Sequence, residues 1–208
     1  NERLAVGKGM IDVAVKAGQF ISSSLQDARA TLIKLSDPSL SADDRANYQA
    51  QFKNQVGDIG AFVKDAKYND ITLINTGTNQ SIISNIDGGN ITVTAQNLAT
   101  AVYGQLSAAS DYSAAAALIA TTGALANAES NLGRAMNQLA ADSRRITNQI
   151  GFNNAIADAT NTGLGAIVDA DLAKESARLQ SLQVKQQLSS QALSIANQSP
   201  QSLLGLFR

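Results

Sequence analysis

The sequence predicts a mainly α protein: an elongated, coiled-coil-like helical rod carrying a small β-hairpin element and a C-terminal helix. Three observations lead there. Apolar residues recur at alternating spacings of three and four over long stretches, which is the heptad pattern of packed helices. Aromatic residues make up only 4% of the 208 positions and Trp is absent, so the buried surface must come from Ala, Leu, Ile and Val, which suit close helix packing. Between the helical stretches lies one region of short β-branched clusters separated by Asn, Gly and Thr.

The first seam runs Leu4, Gly7, Ile11, Ala14, Gly18, Ile21, Leu25, Ala28, Leu32, Leu35, which predicts a helix over about 3–35. At ~1.5 Å per residue it would extend about 48 Å. Gly7 and Gly18 each cost roughly 1 kcal/mol relative to Ala in a helix interior, tolerable where a neighbouring chain approaches closely. Ser36-Asp-Pro-Ser39 ends this helix, because Pro38 lacks an amide donor and turns its predecessor away from the α region. Ser41, with Asp44 three residues on, is set to cap a second helix over about 42–68. Its stripe is Tyr48, Phe52, Val56, Ile59, Val63, Ala66.

Residues 69–112 change character. Ile71–Ile74, Ser81–Ile83 and Asn90–Thr94 are candidate strands of a two- or three-stranded element, and Asp87-Gly-Gly-Asn90 is a hairpin turn between Ile86 and Ile91. Leu98 to Leu106 adds a short helix. Helical spacing returns over 113–161 at Leu118, Leu125, Ala128, Leu132, Ala135, Leu139, Asp142, Ile146, Gln149, Asn153 and Ile156. Polar seam residues either fix register and partner, or turn toward solvent; the pattern leaves both readings open for Asp142 and Asn153. Thr160-Asn-Thr-Gly-Leu-Gly165 reads as a break, with a last helix from about Asp169 to Asn197 whose first turn gains from the carboxylates of Asp169 and Asp171. The apolar positions of that helix are Leu172, Leu179, Leu182, Leu188, Leu193 and Ile195, and one side is rich in Gln and Ser. Alone it buries little, so it depends on a partner.

Composition closes off most chemistry. The chain has no His and no Cys, which removes the commonest metal ligands and general bases, and no disulfide can form. A net charge of −1 offers no field for phosphate backbones, and Arg134, Arg144 and Arg145 lack the interleaved aromatics of a nucleic-acid surface. Asp169 and Asp171 without a third acid do not make a metal site, and Gly163-Leu-Gly165 lacks the third glycine and the preceding strand of a dinucleotide loop. No apolar run is long enough to span a bilayer, and the tail Leu203-Leu-Gly-Leu-Phe207 is too short for stable insertion. No catalytic residue, cofactor or membrane insertion is expected.

The ending Ile195-Ala-Asn-Gln-Ser-Pro-Gln-Ser-Leu-Leu-Gly-Leu-Phe-Arg208 resembles the closing signature of bacterial flagellin. Ile167-Val-Asp-Ala-Asp-Leu-Ala-Lys-Glu-Ser-Ala-Arg178 resembles the family's entry to its terminal helix, and Asp65–Ile74 its passage from helix to hairpin. The likeness is strongest over roughly 1–74 and 124–208. It implies a rod domain over 1–161, with 69–112 as the outward variable segment, and a filament-core helix and tail over 162–208. It further implies that a first helix, pairing with the terminal one, stands outside these residues.

The function so implied is that of a secreted, extracellular subunit that polymerises with itself into the flagellar filament for motility. Its other partners would be an export chaperone and the filament cap and hook-junction proteins. Leu172, Leu179, Leu182, Leu188, Leu193, Ile195, Leu203, Leu204, Leu206 and Phe207 are the expected assembly and chaperone contacts. Family members that activate the flagellin-sensing Toll-like receptor carry Gln-Arg-Val-Arg-Glu-Leu on the first rod helix. Here Gln26 and Arg29 are kept, while Asp27 and Thr31 replace an arginine and a leucine. Two alternatives are a hook–filament junction protein, which the Asn-Gln-Ser-Pro-Gln ending disfavours, and a flagellin-like surface module binding polysaccharide or a host receptor, for which Tyr68, Tyr103 and Tyr112 are the few aromatic platforms.

Overall fold

The computed structural model describes residues 1–107 and 115–204, the side chains of 197–204 excepted. The chain divides into two units, Asn1–Asn153 and Asn154–Arg208. In the first unit, helix α1 spans Glu2–Leu35 and buries every residue of the seam read from the sequence, together with Met10 and Thr31. Helix α2, Ala42–Asp65, lies against it with Phe52, Val56, Ile59 and Val63 buried and Tyr48 half-buried.

The turn between them is held by side chains. Asp37 Oδ1 accepts from the Ser39 amide at 2.8 Å and the Ser39 hydroxyl at 2.7 Å. Arg45 donates to the carbonyls of Leu35 at 3.0 Å and Asp37 at 2.9 Å, satisfying acceptors that the end of α1 leaves open. Ser41 caps α2: its oxygen accepts from Asp44 N at 3.1 Å and its hydroxyl donates to Asp44 Oδ2 at 2.7 Å.

Strands β1, Gln80–Ile83, and β2, Asn90–Val93, form a two-stranded antiparallel sheet with Ile82 opposite Ile91. Ile82, Ile91 and Val93 face the core, while Ser81 and Thr92 are exposed. Gly88 takes φ +83 in the connection, the left-handed value expected of this turn. Ile71–Ile74 is not a third strand. Asn69 and Asp70, at φ 49 and 61, fold Tyr68 and Ile71 into a tight turn with an isolated bridge. Leu73 and Ile74 are buried as irregular chain, their carbonyls accepting from Gln96 N and Leu98 N. A π-helical turn, Ala99–Gly104, leads into the short α3, Gln105–Ser107.

The helix expected over 113–161 is two helices: α4, Ala115–Ile119, and α5, which starts at Ala124. The chain turns through Thr121-Thr122-Gly123, and a Cβ on Gly123 would collide with the carbonyls of Ala117 and Leu118. Residues 113 and 114 lie outside the described residues. The larger correction concerns 160–169. Helix α5 runs Ala124–Leu204 without the expected break, and the Thr160 and Thr162 hydroxyls bond back to the carbonyls of Ile156 and Asp158, each at 2.8 Å. Asp169 and Asp171 therefore sit inside a helix and not at its start.

Candidate functional site

Within the first unit, α5 supplies the third side of the core through Leu125, Ala128, Leu132, Ala135, Leu139 and Ile146. Its polar seam residues hold the hairpin. Asp142 is 1% exposed; its Oδ2 accepts from Thr94 N at 2.9 Å and its Oδ1 from Gln138 Nε2 at 3.2 Å. Asn153, half-buried, donates to Ser84 O at 2.8 Å and accepts from Gln149 Nε2 at 2.9 Å. Of the two readings left open by the sequence, the inward one is correct for Asp142, and the end of each strand is tied to α5. Ile156, the last seam position, is exposed.

The second unit, by itself, is helix. From 154 through 196 no residue is buried. Leu172, Leu179, Leu182, Leu188, Leu193 and Ile195 are between 54% and 65% exposed, and Leu164, Ile167, Val168 and Val184 are comparably open. Leu172, Leu179, Leu182 and Leu193 fall on one 3/4-spaced line, whereas Val184, Leu188 and Ile195 fall on another. Gln183, Gln186, Gln187, Ser190, Gln191 and Ser194 line the polar side. The helix continues to Leu204. The side chains of Leu203 and Leu204, and the whole of Leu206 and Phe207, lie outside the described residues. Sequence reasoning stopped its contact set at Leu172 because it placed a break before it; the same spacing carried upstream would have found Leu164 and Val168.

The receptor-motif equivalents are split by the fold. Gln26 and Asp27 are exposed on α1, Arg29 is engaged with Glu129 of α5, and Thr31 is buried with its hydroxyl donating to Asp27 O at 3.1 Å. Among the tyrosines proposed as platforms, Tyr68 packs over Gly9 and Tyr103 over Gly60, and Tyr112 lies outside the described residues. Among the described residues no group of three acidic side chains could hold a metal ion, and no helix is long and apolar enough to cross a membrane.

A packed helical unit followed by a helical segment, 154–196, whose residues are all exposed is the arrangement of a structural protein of the self-assembling class. The model of the bacterial flagellin C-terminal helical region matches residues 117–207. The chain is 38% identical to flagellin FljM of Caulobacter vibrioides over 208 residues, covering all of this chain and 76% of that one. It is 32% identical to a flagellin of Brucella melitensis over 222 residues, covering all of this chain and 77% of the other. The crystal structure of Bacillus cereus flagellin superimposes with a TM-score of 0.62 at 16% identity, over 71% of this chain and 86% of that chain. The chain belongs to the flagellin family, and it is a structural subunit of the bacterial flagellar filament. Flagellins assemble with copies of themselves into a filament outside the cell, and the family is structural, not enzymatic.

Proposed function

We propose that the exposed apolar side chains of α5 from Leu164 through Leu172, Leu179, Leu182, Leu188, Leu193 and Ile195, together with the tail residues Leu203, Leu204, Leu206 and Phe207, are the contacts by which subunits join at the filament core. The observation that carries this is the absence of any buried residue between 154 and 196 in a helix that holds this many large apolar side chains. Fully burying one such side chain is worth about 1.5–3 kcal/mol, so each neighbour that covers this helix gains from several at once. Repetition of one non-closing contact yields a helical tube.

Before assembly the same side chains need cover, which an export chaperone supplies by laying the helix in an apolar groove. Cap and hook-junction proteins meet the same surface at the two filament ends. The chain carries out no catalysis: with no His and no Cys, it lacks the usual nucleophile and base pairs. On α1, the exposed Asp27 stands where the receptor motif has its first cation, while Thr31 faces inward and offers the receptor no apolar anchor, so the flagellin-sensing receptor responds weakly or not at all.

Because the chain has no native cysteine, Leu179→Cys introduces a single thiol. Oxidative cross-linking of filaments bearing it is expected to give covalent dimers, the one disulfide that a single thiol per subunit allows, and Ser81→Cys, on the exposed face of β1, serves as the comparison. Efficient cross-linking through Ser81→Cys with none through Leu179→Cys contradicts the assignment.

A further inference from the structure

The two methionines of the chain have different surroundings. Met10 is buried on α1 at 6% exposure. Met136, on α5, is half-buried and lines a groove of about 370 Å³ together with Gly18, Leu25, Leu132 and Gly133. Its sulfur occupies the room left by the missing side chain of Gly18: a Cβ built on Gly18 would fall on Met136 Sδ. On the other wall, a Cβ built on Gly133 would meet nothing within 4 Å, so the groove is open there. The Met136 side chain thus meets α1 at Gly18 and, being half-buried, also lines the open groove.

The geometry points to Met136 as a site of reversible sulfoxidation by peroxide that loosens α1 from α5 at Gly18. A sulfur lone pair attacks the distal oxygen of hydrogen peroxide, the O–O bond breaks, an S–O bond forms, and the second oxygen leaves as water after proton transfer. Sulfur is oxidised and peroxide reduced. The product is polar and larger, and on the side where the sulfur meets Gly18 there is no room for an added oxygen, so the thioether must leave that contact. The strain falls on the segment of the α1–α5 seam that also carries Gln26 and Glu129, which line the same groove. Reduction by a methionine sulfoxide reductase restores the thioether and closes the seam.

The test treats the folded chain with hydrogen peroxide and follows each methionine by peptide mass spectrometry, alongside thermal melts. Met136 sulfoxide is expected to accumulate roughly tenfold faster than Met10 sulfoxide, with the melting temperature falling in step. Met136→Leu conserves volume and is expected to fold and to resist that fall, whereas Met10→Leu is expected to suffer it like the unaltered chain. Equal oxidation of the two methionines overturns the assignment of the groove, and a peroxide-induced fall that persists in Met136→Leu overturns the coupling to the seam.

Discussion

Arg29 of α1 and Glu129 of α5, 100 residues apart in sequence, meet at two points: Nε to Oε1 at 2.9 Å and Nη2 to Oε2 at 2.5 Å. The fork geometry fixes the rotation of one helix against the other as well as their separation. Hydrogen bonding to Glu129 raises the Arg29 pKa above its ordinary value, with burial opposing and the charge of Glu129 adding. Both side chains are about a third exposed, 36% and 33%, so solvent screens the pair. Glu129→Gln is expected to lower stability by about 0.5–1 kcal/mol at low salt, the loss shrinking as salt rises. Denaturant titrations at two ionic strengths check this, and a loss independent of salt would show that packing, not charge, holds the contact.

Asp142 anchors the hairpin, and its removal leaves the Thr94 amide and the Gln138 side chain without their acceptor. Asp142→Ala is expected to cost about 1–3 kcal/mol, concentrated at the sheet. Hydrogen exchange should quicken at Thr94 and Val93 before it does at Ile11 or Ile21 in α1. Uniform quickening would place Asp142 in the general core and not at a specific tie.

Asp37 gives the fold an acid-sensitive turn. The Ser39 hydroxyl and then the Ser39 amide hold its carboxyl below the usual carboxylate range, desolvation opposing and the charge of Arg45 assisting. A folded-state pKa below the unfolded one contributes stability in full above the unfolded value and loses it as pH falls through the folded value. The stability difference between the unaltered chain and Asp37→Asn is therefore expected to be constant near neutrality, to begin closing near pH ~4, and to vanish in stronger acid. A difference that stays constant into strong acid would contradict the turn assignment.

Where the physics is local or periodic, the sequence was readable. Every residue of the α1 seam is buried, Ser41 caps α2, and Gly88 makes the hairpin turn. Asp142 was seen as a seam position, but its role needed Thr94, 48 residues away, to be placed. The break expected at Thr160–Gly165 failed because a long helix absorbs the cost of Gly163 and Gly165, roughly 1 kcal/mol each, when the flanking turns stay hydrogen-bonded. The Arg29–Glu129 pair and the Arg45 bonds to Leu35 and Asp37 left no sequence signal beyond two arginines and an acid at unremarkable positions.

For receptor recognition, Asp27 is the informative position. Thr31 is buried and hydrogen-bonded within α1, so a leucine there would need room inside the seam. Loss of one interface anchor commonly costs ~2 kcal/mol or more. A cell reporter carrying the flagellin-sensing receptor is expected to respond weakly to the chain and more strongly to Asp27→Arg. Strong signalling by the unaltered chain would contradict this reading.

The apolar face of α5 beyond Asn154 is proposed to join subunits, and electron microscopy of cells whose flagellin gene carries Leu179→Asp with Leu182→Asp puts this to the test. The first unit contains neither residue, so the secreted chain is expected to keep the melting transition of that unit while filaments fail to elongate, since each buried unpaired carboxylate costs several kcal/mol at every repeated contact. Filaments of ordinary length and number from the doubly substituted gene would show that subunits join through another surface.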